Sequence, residues 1–459
     1  MNTLFEAKNI HLVGIKGVAM ASLAQCLDDI GITLTGSDVK EDFVTKEVLS
    51  QRGIVISTGF APGNVPTSCD LLVYTGAHQG KQNAEVQEAI RRGIRVMSHA
   101  EALGELMRGK KGISVCGTGG KSTTSAMLAW TLDSAGMRPS FSVGVGKVNN
   151  FGVSGRYTQI HSQETDEISK SGWFVAEADE YAVDPTEDHR PRFIYQLPGI
   201  IVCTNLNYDH PDIYPTFEMM KETFLAFFNT LEDGELLVLN GDCEALLSLI
   251  PKIKKGVHVV TVGKNKNCTM QVDSIKLSLQ VPGNHNRQNA LFAYAVGKAL
   301  QIDSEKILQA LASYTGTMRR FEPKGKINGI SYYDDYAHTP DEITATIQAL
   351  REREPGKKTV VAFQPHTYSR TKALFDGFVA SLSLADEVFI LDIFASARES
   401  EDLSVSSQML VEAIGEKAKL VPTIEDLRIV FQTVTAECVC ITMGAGDIYK
   451  VYEHMQVDK

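Results

Sequence analysis

The sequence predicts an α/β protein of three domains, each with a mainly parallel sheet. Three observations carry this. Short apolar runs alternate with helix-forming segments along most of the chain. Several of these runs end in polar residues, as strands do where a ligand gathers at the carboxyl ends of a parallel sheet. The chain has 459 residues, more than one ordinary core can hold.

The elements follow in order. In the first block, 1–108, "NIHLVGI", "ITLTGSD", "DLLVYTGA" and "IRVMS" read as strands, with "KGVAMASLAQCLDDIG" and "NAEVQEAIRRG" as helices. The second block, 109–318, opens on "ISVCGTGGKSTTSAMLAW", which reads as strand, glycine turn and helix. It continues through "GWFVAEADE" and "GIIVCTNLNYDH", two apolar runs with polar ends, and the helices "TFEMMKETFLAFFNTL" and "NRQNALFAYAVGKAL". In the third block, 319–459, "ISYYDDYAH", "KTVVAFQPH", "EVFILDIF" and "VCITMGAGD" read as strands of a second parallel unit.

Composition narrows the function. A net charge of −11 argues against a nucleic-acid backbone as the main partner. No apolar run is long enough to span a bilayer. The first residues, "MNTLFEAKNIHLVGIKG", lack a secretory signal, so a cytoplasmic location is expected. The 8 cysteines are scattered without zinc spacing, which suits buried thiols.

The glycine turn points to phosphate. The standard nucleotide-loop pattern requires a glycine five residues before Gly120, where Val115 stands. The shorter run Gly117, Thr118, Gly119, Gly120, Lys121, Ser122, Thr123 keeps the physics. Glycines let backbone N–H groups close on phosphate oxygens, and the helix N-terminus adds partial positive charge. Lys121 can reach terminal phosphates, and the Ser122 hydroxyl can bind Mg²⁺. The loop alone leaves hydrolase, kinase, ligase and switch open. Glu177, Asp179 and Glu180 end one strand and offer hard oxygen ligands. Asn205, Asp209 and His210 end another, where a histidine serves either as a structural donor or as a ligand.

"GTGGKSTT", "EADE", "TNLNYDHPDIY", "GNHNRQNALFA", "RRFEPKG", "DDYAHTPDEI", "FQPHTYSRTKAL" and "MGAGDI" occur in this order. Together they resemble the Mur ligase family over nearly the whole chain. The resemblance implies a Rossmann-like N-terminal domain for a UDP sugar, a central P-loop ATPase domain and a C-terminal Rossmann-like domain closing over both. It implies an ATP-dependent, ADP-forming ligase of peptidoglycan precursor synthesis that acts on UDP-N-acetylmuramate and L-alanine through an acyl phosphate. It also implies two Mg²⁺ ions and a monomer or homodimer, with no nucleic-acid or membrane partner. The long segment "YAVDPTEDHRPRFIYQLPG" resembles instead the relative that attaches a recycled murein tripeptide, which remains the alternative acceptor.

By the same resemblance, Lys121, Glu177, His210 and Arg320 are the catalytic set. Ser122, Glu177 and His210 hold metal. Asn286 and Asn289, three apart on one face of a helix start, lie around the adenine end of ATP, and the loop residues, Arg320 and Asp335 also contact the nucleotide. Asp335 would accept from a ribose hydroxyl or orient a basic partner. Without the family, Arg319-Arg320 reads as a solvated basic pair. His338, His366 and Arg370 contact the substrate and the incoming amino acid. Gly14, Lys16, Gly17, Ser37 and Asp38 face the UDP sugar, and Lys16 either meets the diphosphate or points to solvent. The departures are Lys16 and Ala19 for two family glycines, Thr75-Gly76-Ala77 at a uridine-contacting strand tip, Gly119 for histidine and Ser122 for threonine.

Overall fold

The computed structural model describes residues 4–159, 172–209, 213–395, 402 and 404–455. His210 lies outside the described residues. The chain divides into two compact units. One comprises Met1–Gln280 with Arg287–Thr315, and the other Val281–Asn286 with Gly316–Lys459.

The first unit contains two large sheets. The strands β1 (Asn9–Val13), β2 (Thr33–Asp38), β3 (Val55–Thr58), β4 (Leu71–Tyr74) and β5 (Arg95–Ser98) are all parallel, in the order β3-β2-β1-β4-β5. β1 takes the middle because Ile10, Leu12 and Val13 are apolar on both faces. Ile10 and Leu12 pack with Leu23 and Leu27 of the helix Val18–Asp29 in one core.

The second sheet uses β6 (Lys111–Cys116), β7 (Ser140–Ser142), β8 (Gly155–Arg156) and β9 (Trp173–Glu177). The chain then forms a separate hairpin, β10 (Ala182–Asp184) and β11 (Asp188–Pro191). It returns to the sheet through β12 (Ile200–Cys203), β13 (Leu236–Asn240), β14 (His258–Gly263) and β15 (Met270–Gln271). The order is β15-β14-β13-β12-β6-β9-β7-β8, parallel except for β8. Cys116 pairs with Cys203 and Val115 with Glu177, so Gly117, Glu177 and Thr204 emerge at one edge. That edge is the carboxyl edge the sequence pointed to.

The hairpin is the structure of the long segment after "EADE". It lies against the turn that follows β4: Asp184 Oδ2 accepts from the backbone N–H of Lys81 at 2.8 Å, and Gln82 donates to Glu187 at 2.6 Å.

The second unit holds β16 (Glu322–Ile327), β17 (Ile330–Asp335), β18 (Lys358–Phe363), β19 (Glu387–Ile390), β20 (Ala418–Leu420) and β21 (Cys438–Met443). Their order is β16-β17-β21-β18-β19-β20, with only β16 antiparallel to its neighbour. The four expected strands are β17, β18, β19 and β21. The two that sequence reading missed are the edges. β16 alternates Lys with small residues and β20 has only three residues, the short, charged character by which edge strands resist pairing with other chains. Among the described residues no helix is long and apolar enough to cross a membrane. All eight cysteines carry free thiols.

Candidate functional site

The glycine turn joins β6 to the helix Lys121–Ser134. Gly117 has φ of +124°, and a Cβ there would overlap Thr204 Oγ1, so the position requires glycine. Gly120 has φ of +80°, and a Cβ there would lie 2.7 Å from Asn289 Oδ1. Asn289 therefore stands beside the glycine turn itself. Its partner Asn286 is buried and donates through Nδ2 to the Pro282 carbonyl at 2.7 Å.

Asn205, at the end of β12, organises the turn. Its Oδ1 accepts from the Gly119 N–H at 2.8 Å and from Thr118 Oγ1 at 3.1 Å. Thr204 Oγ1 donates to the Gly119 carbonyl at 2.5 Å. A Cβ at Gly119 would lie 3.3 Å from Asn205 Nδ2, so a side chain there requires only a small shift of Asn205.

Lys121 Nζ sits 2.9 Å from both carboxylate oxygens of Glu180 and donates to the Gly117 carbonyl at 2.7 Å. Burial alone would lower the ammonium pKa. The carboxylates of Glu180, Asp179 and Glu177 outweigh it and hold Lys121 charged above the usual lysine range. Tyr214 donates to the Glu180 carbonyl at 2.6 Å, and Arg192 pairs with Asp179 at 3.0 Å.

Ser122 Oγ donates to Glu177 Oε1 at 2.9 Å, and the Gly144 N–H donates to Glu177 Oε2 at 2.7 Å. This places a hydroxyl and a carboxylate together at the helix start, a donor pair suited to a hard divalent cation. Among the described residues no group of three or more His, Cys, Asp or Glu is arranged to hold a metal. Thr123 follows, nearly buried at 9% exposure.

In the first sheet, Gly14 has φ of +79°, and a Cβ there would overlap the Thr75 methyl. Gly17 starts the helix Val18–Asp29. Lys16 takes neither direction considered for it. Its Nζ donates to the carbonyls of Val39 and Glu41 at 2.7 and 2.9 Å, while its backbone N–H donates to Asp38 Oδ2 at 2.6 Å. Asp38 Oδ1 accepts from the Val39 N–H at 2.8 Å.

Ser37 is buried and donates its hydroxyl to Glu85 Oε2, so that hydroxyl serves the interior. His11 Nε2 lies 3.1 Å from the same oxygen, and Glu85 Oε1 accepts from Asn64 Nδ2 at 2.6 Å and from the Ala61 N–H at 3.0 Å. Burial pushes the Glu85 carboxyl up, but its hydrogen bonds from His11, Ser37, Asn64 and Ala61 outweigh this and hold it below the usual range. Glu85→Gln should cost about 2–4 kcal/mol near neutral pH. A depressed carboxyl stabilises fully above its unfolded value of 4.5 and loses that contribution as pH falls through its folded value. The deficit, measured by urea unfolding, should therefore shrink markedly between about pH 7 and pH 3. A deficit independent of pH would refute this account of the network.

The second unit gathers its expected residues around the end of β17. Asp335 Oδ2 accepts from the Phe321 N–H and Oδ1 from the Ala337 N–H, both at 2.7 Å. Burial raises the Asp335 carboxyl to about 6, and Arg320 and these two bonds offset it only in part. Arg320 lies 3.8 Å from Glu342, and His338 Nδ1 lies 3.2 Å from the same carboxylate. Arg370 approaches His366 Nδ1 at 3.5 Å.

Sequence reading assigned no role to Glu342, which links Arg320 and His338. Its signal is present in "HTPDE": it lies four positions after His338, and Thr339 with Glu342 forms a helix capping box. The sequence marks Asn205 only as a strand-tip residue and gives no sign of Glu85.

Residues 9–111 match the Mur ligase family, catalytic domain; residues 115–297 match the Mur ligase middle domain; residues 319–446 match the Mur ligase, glutamate ligase domain. The UDP-N-acetylmuramate–L-alanine ligase of Lachnospira eligens is 34% identical, with 97% of each chain covered. The solved UDP-N-acetylmuramate-alanine ligase of Thermotoga maritima is 26% identical, with a TM-score of 0.77 and 97% of each chain covered. The solved UDP-N-acetylmuramate:L-alanyl-γ-D-glutamyl-meso-diaminopimelate ligase of Neisseria meningitidis is 29% identical, with a TM-score of 0.60, covering 68% of this chain and all of that one. With three family domains matched in order along most of its length, the chain belongs to the Mur ligase family.

Proposed function

We propose that this protein is an ATP-dependent, ADP-forming ligase that joins L-alanine to the lactyl carboxylate of UDP-N-acetylmuramate in peptidoglycan precursor synthesis. The observation that carries the reading is the constellation at the β6 edge. A charged lysine, a helix N-terminus and a hydroxyl–carboxylate pair stand within one turn of each other, in a chain 34% identical to curated alanine ligases.

A carboxylate is a poor electrophile, and phosphorylation makes its oxygen a good leaving group. In the first step the lactyl carboxylate attacks the γ-phosphorus of ATP, and ADP leaves. In the second the alanine amine attacks the acyl carbon, loses a proton, and inorganic phosphate leaves. Two polyanions must meet, so positive charge at the transferring phosphoryl dominates the barrier. Lys121 supplies it after exchanging Glu180 for phosphate oxygens, and Gly117–Gly120 offer backbone N–H groups. Asn286, Asn289 and Asp335 hold the nucleotide, and Arg320 adds charge at the phosphates.

Ser122, Glu177 and His210 would hold Mg²⁺, which when bound neutralises phosphate charge and draws carboxylate and phosphate together. Gly14, Gly17, Lys16 and Asp38 shape the turn that receives the UDP diphosphate, with Ser37 bracing it from inside. His338, His366 and Arg370 receive the amino acid, the guanidinium meeting its carboxylate.

The test supplies ATP, Mg²⁺ and UDP-N-acetylmuramate and measures phosphate release with L-alanine, with L-alanyl-γ-D-glutamyl-meso-diaminopimelate, or with neither. Release that depends on alanine is expected. Release with the tripeptide alone would establish the second reading, which the Neisseria likeness favours. Release with neither would overturn both.

A further inference from the structure

We infer that Arg319 is a positioning residue: it builds the strained turn from which Arg320 is presented, so two adjacent arginines have divided labour. The inference rests on the ligase reading, in which Arg320 contacts ATP. The residues on either side of Arg320 are both left-handed, Arg319 with φ of +58° and Phe321 with φ of +48°. Arginine and phenylalanine rarely adopt this conformation, and it persists only where the surroundings impose it.

The surroundings of Arg319 do so. Its side chain is buried, and its Nε donates to Asp334 at 3.1 Å. Its two terminal nitrogens donate to the carbonyls of Gly446 and Gly444 at 3.0 and 2.5 Å. Its guanidinium lies 5.2 and 4.5 Å from the ring centres of Tyr336 and Tyr449. Its own backbone is held as well: the N–H donates to Glu322 Oε2 at 2.9 Å, and the carbonyl accepts from the Tyr336 N–H at 2.7 Å.

Phe321 is fixed on the other side. Its N–H donates to Asp335 at 2.7 Å, and its ring packs 4.9 Å from that of Tyr333. Between these anchors the Arg320 side chain alone is turned outward, its guanidinium 5.0 Å from the Tyr336 ring centre on its way to Glu342. Tyr336 thus touches both guanidiniums. Asp335 acts here as a backbone clamp through both oxygens. A fork of three donors in one plane is what arginine provides and lysine does not, so the first arginine is as constrained in type as the second. A charge held in place before substrate arrives stabilises a transition state without reorganisation at the moment of reaction.

The experiment is a double-mutant cycle on the full chain with ATP, Mg²⁺, UDP-N-acetylmuramate and the active acceptor. Arg319→Lys should lower kcat about 30-fold or more while shifting KM for the acceptor less than about 3-fold. In an Arg320→Ala background the same change should cost less than about 3-fold, because the residue through which it acts is gone. Amide hydrogen exchange should accelerate about 10-fold or more at residues 319–321. A full-sized loss in the Arg320→Ala background, or unchanged turnover and exchange in Arg319→Lys, would overturn the inference.

If Arg319→Lys does not fold, Tyr449→Leu removes one ring from the guanidinium and should give a smaller loss with the same non-additivity; an additive loss would overturn the inference. A wild-type chain without turnover on any acceptor would sink the ligase reading instead, leaving the exchange measurement to decide whether Arg319 builds the turn.

Discussion

Replacing Lys121 by alanine should lower ATP-driven turnover about 1,000-fold or more. The ammonium is the one charged side chain that the β6–helix turn brings back onto its own glycines, donating to the Gly117 carbonyl at 2.7 Å. The substitution also has a structural cost. Glu180 is 1% exposed, and losing the ammonium strands its carboxylate. That should destabilise the fold by about 3–5 kcal/mol. The two effects separate in the double variant Lys121→Ala/Glu180→Gln, which should recover most of the stability and none of the turnover. Thermal unfolding and ADP formation measure the two sides. Recovery of turnover in the double variant would mean that Lys121 serves only the fold.

Glu177→Ala should lower turnover about 100-fold or more and raise the Mg²⁺ concentration needed for half-maximal rate about 10-fold. The carboxylate is the acidic partner of the Ser122 hydroxyl and is aimed by the Gly144 N–H. Mn²⁺ binding followed by electron paramagnetic resonance, with nucleotide present, gives a readout that does not depend on turnover and should weaken in parallel. Ser122→Ala should act in the same direction with a smaller effect, since the nucleotide phosphates remain as metal ligands. Unchanged metal dependence in both variants would remove Glu177 and Ser122 from the metal site.

Much of the fold was legible because its interior strands are apolar over several consecutive residues. "NIHLV", "IIVC" and "CVCITM" have no other plausible burial. Edge strands carry no such signal, so "EPKGKI" and "AKL" went unread. Within the site, local chemistry was legible and long-range chemistry was not. Lys121 and Ser122 follow from the glycine turn. That Asn205 accepts from Gly119, 86 residues earlier in the chain, depends on the register of β12 against β6.

Ser37 shows the opposite failure. It stands at a strand tip where a ligand contact is expected, yet Glu85, from a helix 48 residues on, takes its hydroxyl inward. Arg319, read without the family, fails for the same reason. Composition marks a pair of arginines as solvated, whereas Asp334 and the carbonyls of Gly444 and Gly446 bury one of them.

The strand order of the second sheet also sets a schedule. β6, the first of its strands to leave the ribosome, belongs in its interior. Its neighbours β9 and β12 end at Glu177 and Cys203. At ordinary synthesis rates the second of them follows about 4–17 s after β6. Until β9 emerges, the apolar strand that will carry the nucleotide turn has bare edges on both sides, and until β12 follows one edge stays bare, exposed to any other unpaired strand. Translation speed across this stretch, and the holding chaperones available, should therefore govern the yield of active protein more than the stability of the finished fold does.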